Sequence, residues 1–94
     1  MTGKIMTLHP EGKQGVNIDQ AKYDVIKDAI LDSLRDGTEL PFKLLPEQVS
    51  QRVPDFGGSV TWYVTTVKLD LEARGIIERV PGESPQVLRK TTSG

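Results

Sequence analysis

The segment GGSVTWYVTTVKLDLEARG, residues 57–75, gives two conflicting signals about its local structure. Six of the eight residues from 60 to 67 are Val or Thr, whose β-branched side chains favour a strand over a helix. The apolar residues nevertheless recur at intervals of four, three and four, as on one face of a helix: Val60, Val64, Val67 and Leu71. Because this period extends through the whole segment, we predict a helix over residues 59–74.

The ends and faces of this helix follow from its own residues. Ser59 is a suitable N-cap because its hydroxyl can accept an amide hydrogen of the first turn, and Gly75 can take the left-handed conformation that ends a helix. Leu71 is expected to be buried together with Val64. At about 100° per residue, Trp62 and Leu69 fall on the opposite, outward side of the helix.

An earlier helix is predicted within NIDQAKYDVIKDAILDSLRDG, residues 17–37. Its apolar stripe has helical spacing and consists of Tyr23, Ile26, Ile30 and Leu34. Asp19 is suited to cap the first turn, and Ile18 and Tyr23 occupy the two positions of a hydrophobic staple. Gly37 can end the helix.

Shorter elements complete the pattern. A brief edge strand is expected near Leu40, and Pro46 suits the first position of a helix that Pro54 would stop. After Gly75, the segments IIERV (76–80) and QVLRK (86–90) are rich in branched apolar residues, and PGESP lies between them as a turn. This combination predicts a β-hairpin.

The chain is long enough for one domain only. Its 94 residues are 36% hydrophobic, which suffices for a single modest core. Residues 1–18 show neither a helical nor a strand period, so we predict an irregular N-terminal arm there. The folded domain is assigned to residues 19–91, and residues 92–94 to a loose tail.

The order of these elements, helix, strand, helix, helix and hairpin, is that of a winged helix domain. LEARGIIERV followed by SPQVLRK resembles the end of the recognition helix and the wing of bacterial winged helix-turn-helix regulators. GKQGVNI, KYDVIKDAIL and WYVTTVKLDLEARG resemble a family of small uncharacterised bacterial proteins with this fold. The resemblance implies an α+β fold in which a three-helix bundle carries a small antiparallel sheet with a wing.

The same resemblance implies that the third helix enters the major groove of double-stranded DNA and that the wing contacts phosphates. The helix positions that would then face DNA are Ser59, Thr61, Trp62, Thr65 and Lys68. The wing cations that would contact phosphate are Arg79, Arg89 and Lys90. Under this interpretation the protein is a bacterial, cytoplasmic, DNA-binding regulator of transcription.

The net charge of the chain and the residues on the outward side of the third helix favour an alternative interpretation. The net charge of −1 is not the basic balance of a dedicated nucleic-acid binder. The outward side of the third helix carries Trp62, Thr65, Thr66 and Leu69, where a phosphate-binding helix would have Arg or Lys. The alternative is a winged helix module for protein interaction or dimerisation that does not bind DNA, with Trp62, Thr66 and Leu69 at the interface.

Trp62, Thr65, Thr66 and Leu69 form a strip along the outward side of the third helix, and three interpretations of this strip remain open. Residues 1–18 cover it, a second protein or a second copy of the chain covers it, or Trp62 enters a DNA groove. Burying a large apolar side chain contributes roughly 1.5–3 kcal/mol, so we expect both Trp62 and Leu69 to be covered.

No catalytic or metal-binding constellation is found in the sequence. There is no cysteine, and His9 is the single histidine, so neither a transition-metal site nor a nucleophilic triad is expected. The carboxylates of Asp24, Asp28 and Asp32 repeat every four residues, as on a solvated helix face. The GKQG segment lacks the spacing of a phosphate loop. We therefore expect no enzyme, no cofactor and no membrane partner.

Overall fold

The computed structural model describes residues 3–91. Within that range the helices are α1 (Gln20–Ser33), α2 (Leu45–Arg52) and α3 (Val60–Ala73). The strands are β1 (Lys4–Met6), β2 (Asn17–Asp19), β3 (Leu40–Pro41), β4 (Ile77–Arg79) and β5 (Val87–Lys90). The predicted α+β class, with three helices and small antiparallel sheets, is confirmed.

The conflict over the central segment is resolved in favour of a helix, as predicted from the apolar period. Val64, Val67 and Leu71 are fully buried in the core. Burial of this face outweighs the strand preference of the β-branched residues, because most helix stability in proteins comes from packing. Ser59 accepts a hydrogen bond from the backbone N–H of Trp62 at 3.2 Å, and Gly75 has a φ of 74° beyond the last turn.

We expect the variant Leu71→Ala to be less stable than the wild type by about 2–5 kcal/mol, because it leaves a cavity in the core. Leu71 has a relative exposure of 0%. Urea denaturation followed by circular dichroism measures the change. Val25→Ala is the control, because Val25 is 45% exposed. A loss below about 1 kcal/mol in Leu71→Ala would contradict the proposed packing of α3.

Helix α1 begins as predicted but ends earlier. The Asp19 side chain accepts a hydrogen bond from the N–H of Lys22 at 3.1 Å. The predicted stripe is buried: Tyr23, Ile26, Ile30 and Leu34. The helix stops at Ser33, and a single 3₁₀ turn follows in which Asp36 and Gly37 have φ values of 58° and 76°. Gly37 therefore has the predicted left-handed conformation, but it lies beyond the helix rather than directly at its end.

The three C-terminal strands form an antiparallel sheet with the order β3–β5–β4. Ile77 pairs with Lys90 in the predicted hairpin, and Leu40 pairs with Leu88, which places β3 at the edge of the sheet as expected. Helix α2 starts at Leu45, one residue before the predicted Pro46.

The prediction of an irregular arm is wrong for the described part of residues 1–18. Strands β1 and β2 form an antiparallel hairpin in which Ile5 pairs with Ile18. The predicted boundary between residues 18 and 19 falls inside β2, so the hairpin leads directly into α1. Strands of three residues are too short to show a period of two, which is why the sequence pattern missed them. The predicted tail, residues 92–94, lies outside the described residues.

Candidate interaction surface

The outward side of α3 forms a surface that we call the outer face, made of Trp62, Thr65, Thr66 and Leu69. Trp62 has 46% of its surface exposed, the largest exposure of any described aromatic side chain. Thr65 is exposed, and Thr66 and Leu69 are half-buried. The outer face therefore presents one large apolar side chain to solvent, and none of its four residues is charged.

The N-terminal hairpin covers only the Leu69 end of the outer face. Its loop closes a small cleft of about 90 Å³ against Thr66 and Leu69, and Leu8 and Val16 contribute apolar walls. Leu8 is 44% exposed and Val16 is 39% exposed. Of the open interpretations, cover by residues 1–18 is therefore not met at Trp62, which stays 46% exposed and does not line this cleft, whereas cover of Trp62 by another chain stays a prediction.

The hairpin is attached to α3 through a buried carboxylate. Asp70 has a relative exposure of 0%, and it accepts hydrogen bonds from the backbone N–H of Leu8 at 2.9 Å and from Arg74 Nε at 2.8 Å. The Tyr23 hydroxyl donates to Asp70 Oδ2, the oxygen that also accepts from Arg74, whereas the N–H of Leu8 donates to Oδ1. Burial, reinforced by this contact with Asp70, raises the pKa of Tyr23 well above its ordinary value. Asp70 therefore connects the hairpin, α1 and α3.

Trp62 is held in place by neighbouring rings. Its indole meets the ring of Tyr63 edge to face at a centroid distance of 4.9 Å, and Tyr63 meets Phe56 in the same way at 5.0 Å. Such pairs favour defined ring orientations. The exposed indole is thus supported from one side, which reduces the entropy it loses when a partner binds.

The predicted role of Lys68 on the outer face is wrong. Lys68 is only 2% exposed, because its side chain lies over the ring of Phe42, with Nζ 4.7 Å from the centroid, and its ammonium group pairs with Glu72. Burial lowers its pKa, although Glu72 opposes this effect. A buried and paired ammonium group cannot neutralise a DNA phosphate at the surface.

The remaining predicted cations lie around the C-terminal hairpin, and two of them are already paired. Arg79 lies 3.4 Å from Glu72, and Arg89 lies 2.6 Å from Glu78 and 3.6 Å from Glu39. Lys90 is exposed and has no carboxylate within 4.0 Å among residues 3–91. The predicted DNA-facing residues Ser59, Thr61 and Thr65 are exposed. The Ser59 hydroxyl already accepts from the N–H of Trp62, and the Thr65 hydroxyl donates to the Thr61 carbonyl at 3.0 Å.

The acidic row on α1 is solvent-exposed, as expected of a solvated helix face. Asp32 pairs with Arg52 at 2.8 Å and with Arg35 at 3.4 Å, and the hydrogen bond from Arg52 lowers the pKa of Asp32. No group of three or more potential metal ligands occurs in the described part of the chain. No helix among residues 3–91 is long and apolar enough to cross a membrane.

The fold and this surface define an α+β domain with an exposed tryptophan side chain on its third helix. Residues 4–88 match the DUF6958 family, a family of unknown function, and the chain belongs to that family. No curated protein and no solved structure matches the chain.

Proposed function

We propose that this protein is a winged helix domain that acts as a protein-interaction module and joins two copies of the chain through the outer face of α3. The winged helix assignment is supported by the order α1, β3, α2, α3, β4, β5. It is further supported by the pairing of β3 with β5, which adds a third strand to the C-terminal hairpin.

The observation that carries the interaction role is the exposure of Trp62. Tryptophan is enriched among the few residues that dominate the binding energy of interfaces. With 46% of its surface exposed, Trp62 leaves a large apolar side chain in water, where a partner would gain by burying it. Its edge-to-face contact with Tyr63 favours a defined ring orientation, and preorganisation of this kind favours binding.

A second copy of the chain fits this surface because the surface can pair with itself. In a symmetric dimer, the same patch of each subunit forms the interface. A patch with a net charge would therefore face a patch of the same charge and be repelled by it. The outer face contains no charged residue, and this repulsion does not arise. The outer face also combines an exposed ring with a neighbouring apolar cleft at Leu69.

The spacing along α3 gives a specific arrangement. Trp62 and Leu69 lie equally far on either side of the midpoint between Thr65 and Thr66, about 5 Å away at 1.5 Å per residue. Two antiparallel α3 helices related by a two-fold axis at this midpoint would place Trp62 opposite Leu69 of the second copy. Each Thr65 would then lie beside Thr65 of the other copy.

Sedimentation equilibrium of the 94-residue chain tests this proposal. The expected result is reversible association to twice the chain mass of 10.4 kDa at micromolar concentration. A single species of 10.4 kDa at concentrations up to about 1 mM would overturn self-association, since that limit corresponds to a binding free energy weaker than about −4 kcal/mol.

A second candidate function is DNA binding in transcriptional control. It is favoured by the exposed residues Ser59, Thr61 and Thr65, which carry hydroxyl groups, on the proposed recognition helix and by the exposed Lys90 on the proposed wing. Hydroxyl groups can bond to bases or phosphates, but most DNA affinity comes from neutralising phosphates. Because the dimer would cover the same face of α3, the two functions exclude each other at this surface.

Binding to a 30-base-pair duplex of random sequence at 50 and 200 mM salt separates the two candidates. We expect no binding below about 100 µM protein, because Arg79 and Arg89 are paired with carboxylates and Lys68 is buried. Fluorescence anisotropy of the labelled duplex is the measurement.

The DNA candidate predicts the opposite result, a strongly salt-dependent affinity. Replacing Arg79, Arg89 and Lys90 by Gln should then flatten the slope of log affinity against log salt by roughly two to three units. The control replaces Lys4, Lys13 and Lys43 instead, which keeps the change in net charge the same. Micromolar binding that only the first triple variant weakens would favour DNA binding over dimerisation.

A further inference from the structure

A second surface feature is a groove of about 450 Å³ between α1 and the loop that joins α2 to α3. Its walls are mainly apolar and include Val25, Val53 and Phe56. Val25 is 45% exposed, so this wall is open to a ligand. The volume lies in the range of small-molecule sites, and an apolar lining with few polar groups is the usual composition of such sites.

The charged residues that line the groove indicate which charge a ligand should carry. Lys22 contributes a half-buried side chain, and its Nζ lies 5.9 Å from the ring centroid of Phe56 and 5.7 Å from that of Tyr63. No carboxylate lies within 4.0 Å of this ammonium group among the described residues. Lys22 is therefore a cation at an apolar groove, and residues 3–91 provide no ion-pair partner for it.

The groove is lined by two other charged residues, Arg52 and Asp55. Arg52 is already bonded to Asp32, with 2.8 Å between Nε and Oδ2. Asp55 is exposed to water, which screens its charge more than that of the half-buried Lys22. Within residues 3–91, Lys22 is thus the less screened of the two unpaired charges that line the groove.

We propose that this groove binds a small apolar carboxylate. The apolar body of the ligand packs against Val25, Val53 and Phe56, and its carboxylate pairs with the Lys22 ammonium group. This site is distinct from the outer face of α3 and does not depend on dimerisation.

The probe for this site is 3-phenylpropionate, and its neutral and cationic counterparts are 3-phenylpropan-1-ol and 3-phenylpropylamine. Titration of the ¹⁵N-labelled full chain is followed by the amide chemical shifts of the groove. We expect 3-phenylpropionate to bind with a dissociation constant on the order of 1 mM, as is usual for a ligand of this size in an open groove. The alcohol should bind about threefold to fivefold more weakly, because it lacks the ion pair.

Variants of the two cations on α1 test the role of Lys22. Lys22→Gln should weaken binding of 3-phenylpropionate about threefold to fivefold and leave the alcohol unaffected, whereas Lys27→Gln should leave both unaffected. The proposal is overturned if the groove amides do not shift at 10 mM 3-phenylpropionate, if the amine binds more tightly than the carboxylate, or if the two variants behave alike. Sedimentation tests dimerisation separately, so failure of one proposal does not imply failure of the other.

Discussion

Replacing Asp70 by alanine is expected to lower the free energy of unfolding by about 3–5 kcal/mol, the largest stability change that we predict for a single polar side chain. The carboxylate is fully buried, and it accepts hydrogen bonds from Tyr23, Arg74 and the backbone of Leu8. Its removal leaves the buried Tyr23 hydroxyl and the part-buried N–H of Leu8 without a partner inside the fold, and an unpaired buried polar group is costly. Arg74 is exposed and can bond to water instead. Urea denaturation followed by circular dichroism measures the change.

Asp24→Ala is the matched control for this variant. Asp24 is an exposed carboxylate on α1 whose side chain accepts one hydrogen bond, from Gln20. Its removal should change the free energy of unfolding by no more than about 0.5 kcal/mol. Equal stability losses in the two variants would show that Asp70 does not connect the N-terminal hairpin to the helices.

The second large effect concerns association. Trp62→Lys should raise the dissociation constant of the proposed dimer by about 1000-fold. An interface hot spot contributes about 2 kcal/mol or more, which is roughly 30-fold, and a symmetric dimer loses this contribution twice. The introduced ammonium groups also bring like charges to a face that has none. Sedimentation equilibrium over a range of protein concentrations measures the dissociation constant.

Val25→Lys is the control, because Val25 and Trp62 have nearly the same exposure, 45% and 46%. It introduces the same charge on α1 rather than α3 and should leave the dissociation constant within about threefold of the wild type. Circular dichroism establishes that both variants are folded. If Val25→Lys dissociates the dimer and Trp62→Lys does not, the interface lies elsewhere on the molecule.

The main helices were predictable because their apolar residues repeat over several turns. In α3, the period of Val60, Val64, Val67 and Leu71 outweighed a strong local preference for strand. Caps at Asp19 and Ser59 were recognisable because their side chains act within three residues of the chain. Such local signals can be read from the sequence without knowledge of the fold.

The environment of charged residues on α3 was harder to predict. Lys68 was assigned to the DNA-facing surface because of the resemblance to winged helix regulators, although it lies only about 40° around the helix from the core residue Val64. Its burial depends on the ring of Phe42 and on Glu72. Asp70 is bonded to Leu8, which is 62 residues away in the chain. A contact this distant leaves no pattern in a single sequence.

The central claim, that two copies meet through the outer face of α3, can be tested most directly by disulfide crosslinking. The chain has no cysteine, so Thr65→Cys introduces a single thiol beside the proposed two-fold axis. In a glutathione redox buffer, this variant should form a covalent dimer, and adding Trp62→Lys should suppress it. The control Ser50→Cys places an exposed thiol on α2 and should stay monomeric. Equal crosslinking of both single-cysteine variants, or none in Thr65→Cys, would contradict the account.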